Sequence, residues 1–293
     1  MTVVMIQTTR DTTRVTVVVP TRNSSRTIER CLQSVRAQRH PDVELIVVDN
    51  GSSDGTPALA TRHADLVLTH GPERSAQRNR GAARGQGELV AFIDSDMVLT
   101  PDVLSEATEL FATDPQLGAV IVEEEAFGTG RFARCRELEK QLCIGDESVE
   151  AARIFRRAAF EAVGGYDEQL NACEDWDLAD RVAAAGWATG RIRARIRHDE
   201  GHVSLLGAFR KKRYYGRAAA DWSPDHRSRH RRRRPLSLLA AIARTPAPTH
   251  VRVGLAVLKC AEWAGFAIGV LQRKAARARL RRRGSATPPR ASR

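Results

Sequence analysis

Apolar runs that end in a polar or acidic residue recur along the first half of the chain, each followed by a turn and then by apolar positions spaced three and four apart. Val15 to Val19 is a β-branched run closed by Pro20 and the turn Thr21 to Asn23, and a helical pattern extends from Ser24 to Ala37. The order returns at Val43 to Val48: the run ends in Asp49, a Gly/Ser-rich turn follows, and Thr56-Pro57 opens a short helix with proline in its first turn. Leu66 to Leu68, Leu89 to Ile93 and Gly118 to Val122 predict further strands, with helices at Pro72 to Ala83 and Pro101 to Ala112. Later the pattern predicts strands at Ala151 to Arg156 and Arg191 to Ile196, and helices at Ala158 to Val163 and Glu174 to Ala185. Strands alternating with helices imply an α/β fold with a mostly parallel sheet flanked by helices. Ligands of such sheets bind beyond the carboxyl ends of the strands, where Thr21 to Asn23, Asp49 and Asp94-Ser95-Asp96 all stand.

Charge changes the picture at the other end. The 293 residues carry a net charge of +12, but residues up to Ser204 hold 24 Lys+Arg against 32 Asp+Glu, and those from Leu205 onward hold 23 against 3. An acidic domain thus precedes a strongly basic region, which calls for a polyanionic partner such as an anionic membrane surface. We divide the chain into a tail (1–14), a catalytic domain (15–222), an Arg-rich linker (223–250), an amphipathic helix (251–283) and a disordered tail (284–293). With 42% apolar residues the whole is neither disordered nor an integral membrane protein. Five scattered cysteines without a C-x-x-C pair and no evident secretory signal point to the cytoplasm, with peripheral attachment to the inner face of the plasma membrane. In Val251 to Leu271, Arg252, Lys259 and Glu262 disfavour spanning, and with Arg273, Lys274 and Arg277 they gather on one side of a helix that lies in the interface or, in the plainer reading, packs on the catalytic domain with solvated arginines around it.

Four stretches carry candidate chemistry, each with a plainer reading beside it. Phe92-Ile-Asp-Ser-Asp-Met97 places two carboxylates one residue apart after a strand, suited to a hard divalent cation and equally to a polar turn. Val47-Val-Asp-Asn-Gly-Ser-Ser-Asp-Gly-Thr56 offers Asp49 and Ser52 to a nucleoside, or is a strand-to-helix turn. Arg74 and Arg78 lie four apart on one helix face, able to meet a diphosphate or to be solvated. In the tract from Gly164 to Leu178, Glu174 and Asp175 fit helix capping, but acids beside Trp176 also suit general-base work. His198 is a structural histidine or a nitrogen ligand to a metal.

In this order, the stretches resemble the family 2 glycosyltransferases of GT-A fold, over Arg14 to Tyr215. The resemblance implies a Rossmann-like GT-A sheet, a nucleotide-sugar donor (a UDP-sugar by default), Mg²⁺ or Mn²⁺, and inversion at the anomeric carbon. It places Pro20, Thr21, Asn23, Asp49, Ser52, Arg78, Asp94 and Ser95 around the nucleotide sugar, and Asp96, Asp94 and His198 around the metal. Asp175 becomes the base and Glu174 orients the acceptor. The Gln-x-x-Arg-Trp signature of processive members is absent, with Lys211-Lys-Arg-Tyr-Tyr-Gly-Arg217 in its region, which implies transfer of one sugar. A lipid-linked acceptor accords with the basic region. The rival readings are a sugar nucleotidyltransferase, which would need a Gly-rich loop after the first strand, and a nucleic-acid-binding protein. We expect no nucleic-acid partner, because the strand-bearing half is acidic.

Overall fold

The computed structural model describes residues 13–146, 150–170, 172–219 and 235–284. The strands are β1 (Val15–Thr21), β2 (Val43–Asp49), β3 (Leu66–Thr69), β4 (Leu89–Phe92), β5 (Met97–Leu99), β6 (Leu117–Thr129), β7 (Ala152–Arg156) and β8 (Ala188–His202). The helices are α1 (Ile28–Arg36), α2 (Thr56–Thr61), α3 (Arg74–Arg84), α4 (Val103–Thr113), α5 (Ala133–Gln141), α6 (Arg157–Ala162), α7 (Glu174–Ala184), α8 (Leu205–Ala219), α9 (Pro235–Arg244) and α10 (Thr249–Gly284). The described residues form two compact units. The first takes those up to Glu123, Ala151–Tyr166 and Leu178–Arg197; the second takes Glu124–Glu150, Asp167–Asp177 and those from His198 onward.

The eight strands follow the order β3-β2-β1-β4-β7-β6-β8-β5. β1 to β4 pair in parallel, whereas β7 is antiparallel to both β4 and β6. The sheet is therefore mixed, and its parallel half carries the motifs. All seven residues of β1 are buried, as a strand covered on both faces requires, and this is why its sequence runs apolar instead of alternating. Ile28, Cys31, Leu32 and Val35 of α1 recur at helical spacing and are buried in the same core as Val17 and Val19. Each such aliphatic side chain contributes about 1.5–3 kcal/mol by leaving water. On the opposite face, Phe92, Phe155, Phe160 and Tyr166 pack with centroids 5.0–6.4 Å apart, joined by Leu178 and Val182 of α7.

The second unit has a core of its own, built from Cys135 and Leu138 of α5, Ala208 of α8, Ile242 of α9, and Val251, Leu255 and Leu258 of α10. Part of the stretch expected to be linker is thus the helix α9. The expected tails 1–14 and 284–293 lie outside the described residues, except for Thr13, Arg14 and Gly284. α10 departs most from expectation. Lys259 and Glu262, assigned to a solvated face, are 8% and 2% exposed. They are buried because each finds opposite charge: Lys259 Nζ donates to Glu139 Oε1 and Glu262 Oε2, both at 2.6 Å, and Arg136 Nη2 donates to Glu262 Oε1 at 2.6 Å. Burial pushes the Glu262 carboxyl up, but Lys259, then Arg136 and Lys212, outweigh it and hold it down to about 2.

Two outcomes follow for stability. Glu262→Ala, which removes a buried carboxylate shared by Lys259 and Arg136 and leaves them Glu139, lowers unfolding stability by about 3 kcal/mol in chemical denaturation. Because the folded value is depressed from 4.5 to about 2, the stabilisation from Glu262 is complete above pH 4.5 and is lost as pH falls from there through 2. Denaturant midpoints across that window fall more steeply for the wild type than for Glu262→Gln.

Candidate active site

The carboxyl ends of β1 and β2 meet in register, with Thr21 opposite Asp49. Asp49 is 3% exposed and both of its oxygens are engaged by one residue: Ser52 N donates to Oδ2 at 2.8 Å and Ser52 Oγ to Oδ1 at 2.5 Å. Ser52 Oγ in turn accepts from Asn23 N at 2.7 Å, and Asn23 Oδ1 accepts from Ser53 N at 2.9 Å. Asn23 adopts φ +51°, a left-handed conformation that asparagine tolerates better than most residues, and these bonds hold it there. Ser95 Oγ donates to Ser24 Oγ at 2.9 Å, which ties the turn after β4 to the turn after β1. Pro20 closes β1 and Gln77 Nε2 donates to the carbonyls of Thr21 and Val48 at 2.9 and 2.5 Å, clamping the two strand ends. The Thr21 hydroxyl, on a residue 3% exposed, has no hydrogen-bond partner among the described residues. A buried hydroxyl left so costs about 1–3 kcal/mol and is a natural contact for a bound polar group.

Arg78 is 0% exposed and Asp94 answers it, Nη2 to Oδ1 at 2.7 Å. Arg153, 7% exposed, approaches Asp94 Oδ2 to 3.5 Å, and the Tyr166 ring lies 5.0 Å from the Arg78 guanidinium carbon. Burial pushes the Asp94 carboxyl up, but Arg78, then Arg153 and Arg74, hold it well below the usual carboxylate range. The neighbouring Asn79 exchanges two hydrogen bonds with the Tyr166 backbone, Nδ2 to O at 2.9 Å and N to Oδ1 at 2.8 Å. Gly165 stands at φ +70°, and a Cβ there would strike Asn79 Oδ1, so the two sequence tracts around Arg78 and Tyr166 are one piece of structure.

Asp94 is therefore an ion-pair partner first. A carboxylate pair of this kind supplies the hard oxygens that Mg²⁺ or Mn²⁺ takes, with diphosphate and water completing the shell. The donor chemistry fits, and Asp96 beside it is half-buried. Among the described residues no group of three His, Cys, Asp or Glu gathers for a metal.

In the second unit, Glu174, Asp175 and Asp177 occupy the first turn of α7, as the capping reading required. Glu174 is 4% exposed and Asp175 is half-buried. Cys173 before them has φ +64°; burial, then Glu174, push its thiol up to about 12, so it stays neutral. His198 lies on β8 with Nδ1 3.5 Å from Glu124 Oε2, an oxygen that also accepts from Lys140 Nζ at 2.6 Å. The sequence reading missed Arg153 and Gln77. The signal for Arg153 was an arginine inside an otherwise apolar strand; for Gln77 there was none beyond its place between Arg74 and Arg78.

A parallel half-sheet with a polar edge at Thr21, Asp49 and Ser52 and paired carboxylates after β4 accords with a GT-A type protein. The family model Glycosyl transferase family 2 matches residues 16–163, and the chain belongs to that family. It is 30% identical over 235 residues to the pre-mycofactocin glycosyltransferase of Mycobacterium tuberculosis, an alignment covering 72% of this chain and 48% of the relative. The chain thus spans about half the length of the relative it matches. The mannosyltransferase PcManGT of Pyrobaculum calidifontis, solved with GDP-Man and Mn²⁺, shares the fold at TM-score 0.55 and 24% identity, over 94% of this chain and 76% of that one. TarS of S. aureus shares it at TM-score 0.50 and 19% identity, over 88% and 55%.

Asp94→Ala leaves two nearly buried guanidiniums without their shared partner and lowers stability by about 3 kcal/mol, which paired melting curves of the purified variant and wild type measure.

Proposed function

We propose that the protein is an inverting, metal-dependent glycosyltransferase that moves one sugar from a nucleoside-diphosphate sugar to an acceptor hydroxyl. The observation that carries this reading is the edge formed by Thr21, Asp49, Asp94 and Asp96, with a buried hydroxyl that has no hydrogen-bond partner among the described residues beside a locked acid. Thr21 and Asp49 hold the nucleobase, Ser52, Asn23 and Pro20 shape the turn that receives it, and Ser95 lies at the sugar. Arg78, fully buried, acts through Asp94, which with neighbouring Asp96 meets the ribose and the cation. A divalent cation, Mg²⁺ or Mn²⁺, supplies counter-charge to the departing diphosphate when bound, and the Mn²⁺ of the like-folded mannosyltransferase supports its use; Asp96 and Asp94 are its candidate ligands, and His198, whose Nδ1 lies by Glu124 instead, is not counted among them.

Asp175 takes the proton of the acceptor hydroxyl while its oxygen forms the new bond to the anomeric carbon, and the carbon–oxygen bond to the diphosphate breaks on the opposite side. Glu174 orients the acceptor. UDP is the default nucleotide by resemblance. The acceptor is lipid-linked or membrane-proximal, a reading supported by the basic region after Leu205, and the enzyme works on the cytoplasmic face of the membrane.

Asp175→Asn lowers transfer by a factor on the order of 10² to 10⁴ while nucleotide binding persists; unchanged turnover there, with loss in Glu174→Gln, moves the base one residue back. Asp96→Ala, or excess chelator with the wild type, abolishes transfer. Full turnover in either condition removes the metal from the mechanism. Product anomeric configuration, read by NMR, tests inversion.

A further inference from the structure

Lys259 and Glu262, which α10 was expected to show to solvent, are turned inward against α5, and between Val253 and Leu271 an uncharged stripe faces outward. Val253, Val257, Cys260, Ala264, Ile268 and Leu271 are all exposed, Val253 by 57% and Leu271 by 64%. At 100° per residue they fall within an arc of roughly 80° and run for roughly 27 Å. The other flank of the helix is occupied: a Cβ on Gly265 would strike the Phe209 carbonyl, one on Gly269 that of Arg213, and one on Gly216 of α8 that of Phe266. Such close backbone approach leaves no room for another element on that side. Within Thr249–Ala278 an 18-residue window reaches a mean hydropathy of 1.5, which satisfies a membrane segment by length and composition.

We infer that this stripe is the lipid-contacting face of the protein, and that α10 lies along an anionic bilayer with the stripe among the acyl chains. The inference rests on the membrane-surface reading above and deepens it by naming the face. Charge selects the occupant. The region from Leu205 onward carries 23 basic residues against 3 acidic, which repels a second copy of itself and attracts anionic headgroups. Arg252 and Lys274 stand at the two ends of the stripe, and Arg273 and Arg277 follow it. Lying flat is favoured over spanning because α8, packed along α10, keeps Arg210 exposed and the Lys211 side chain 57% exposed, and these charges would enter hydrocarbon in a spanning pose. The buried Lys259–Glu262–Arg136 network is what allows a helix with charges at its middle to offer lipid an uncharged side.

The test uses the full chain and vesicles of phosphatidylcholine with or without phosphatidylglycerol. Cys260 sits on the stripe and is exposed, whereas Cys31 and Cys135 are buried; with Cys143 and Cys173 changed to serine, an environment-sensitive thiol dye reports on Cys260. Anionic vesicles should shift the dye to the blue and protect it from an aqueous quencher, and Val257→Asp with Ile268→Asp should lower the floated fraction by about tenfold. A dye that stays in water while the protein floats overturns the inference, as does flotation of the double variant equal to wild type. So does a wild-type dimer in vesicle-free solution that the double variant converts to monomer, which would assign the stripe to a protein interface. Donor hydrolysis, measured on the same wild type and double variant without vesicles, keeps the readings apart: retained hydrolysis with lost flotation bears on the stripe alone, and absent hydrolysis in the wild type bears on the transfer reading.

Discussion

A guanidinium that keeps its proton at every working pH and has no contact with water must be neutralised where it stands, and Arg78 is 0% exposed. Its position constrains much of the first unit. Asp94 has to arrive at the end of β4 within hydrogen-bond reach, which fixes the turn that also carries Ser95 and Asp96. Tyr166 must present its ring, and Asn79, next along α3, secures that by exchanging hydrogen bonds with the Tyr166 backbone. Arg181 of α7 donates to the carbonyls of Val163 and Gly165, both at 2.7 Å, and pins the same turn from another direction. The acid that family resemblance gives to ribose and cation is thus held by an ion pair whose geometry does not depend on a ligand, and a pre-organised carboxylate loses less entropy when a ligand arrives.

The parallel half of the fold was legible because each strand announces itself twice, by a β-branched run and by the polar residue that ends it. Thr21, Asp49 and Asp94 could be placed at one edge by that rule alone. The antiparallel strand β7 was legible as a strand but not as to direction, since a run such as Ala152–Phe155 reads identically in a parallel or antiparallel neighbourhood. The partner of Arg153 was invisible for a related reason: period-2 alternation assigns faces, and it does not tell which buried acid waits on that face. β5, three residues long, is too short for any periodic signal.

For α10 the sequence supplied the period and misled on the sign. Lys259, Glu262 and Arg252 do fall on one side of the helix, and charged residues are ordinarily the solvated side. Whether that side faces water depends on Arg136 and Glu139, which are more than a hundred residues away and look in the sequence like an ordinary solvated pair. Once they stand opposite, the pairing makes burial of the charged side tolerable, and the apolar side is left outward. A helical wheel cannot distinguish the two cases, because the quantity that decides, the charge of the opposing surface, is not a property of the helix.

Backbone strain points the same way as the charges. Among the described residues, two non-glycine residues adopt positive φ, Asn23 and Cys173. One follows the turn that ends β1, and the other immediately precedes Glu174 and Asp175. Each such conformation costs of the order of 1–3 kcal/mol, less for asparagine, and persists where surrounding bonds over-determine it. At Asn23 those bonds are on view, through Ser52 and Ser53. At Cys173, Asp177 N donates to the Cys173 carbonyl at 3.0 Å, so the residue that starts the strained turn also begins the helix. A glycine would remove the strain at either place but would free the turn in the unfolded chain as well as in the folded one. A side chain held at positive φ keeps a turn in one shape, and for acids that must meet a substrate at fixed distance, that single shape is the gain set against the strain.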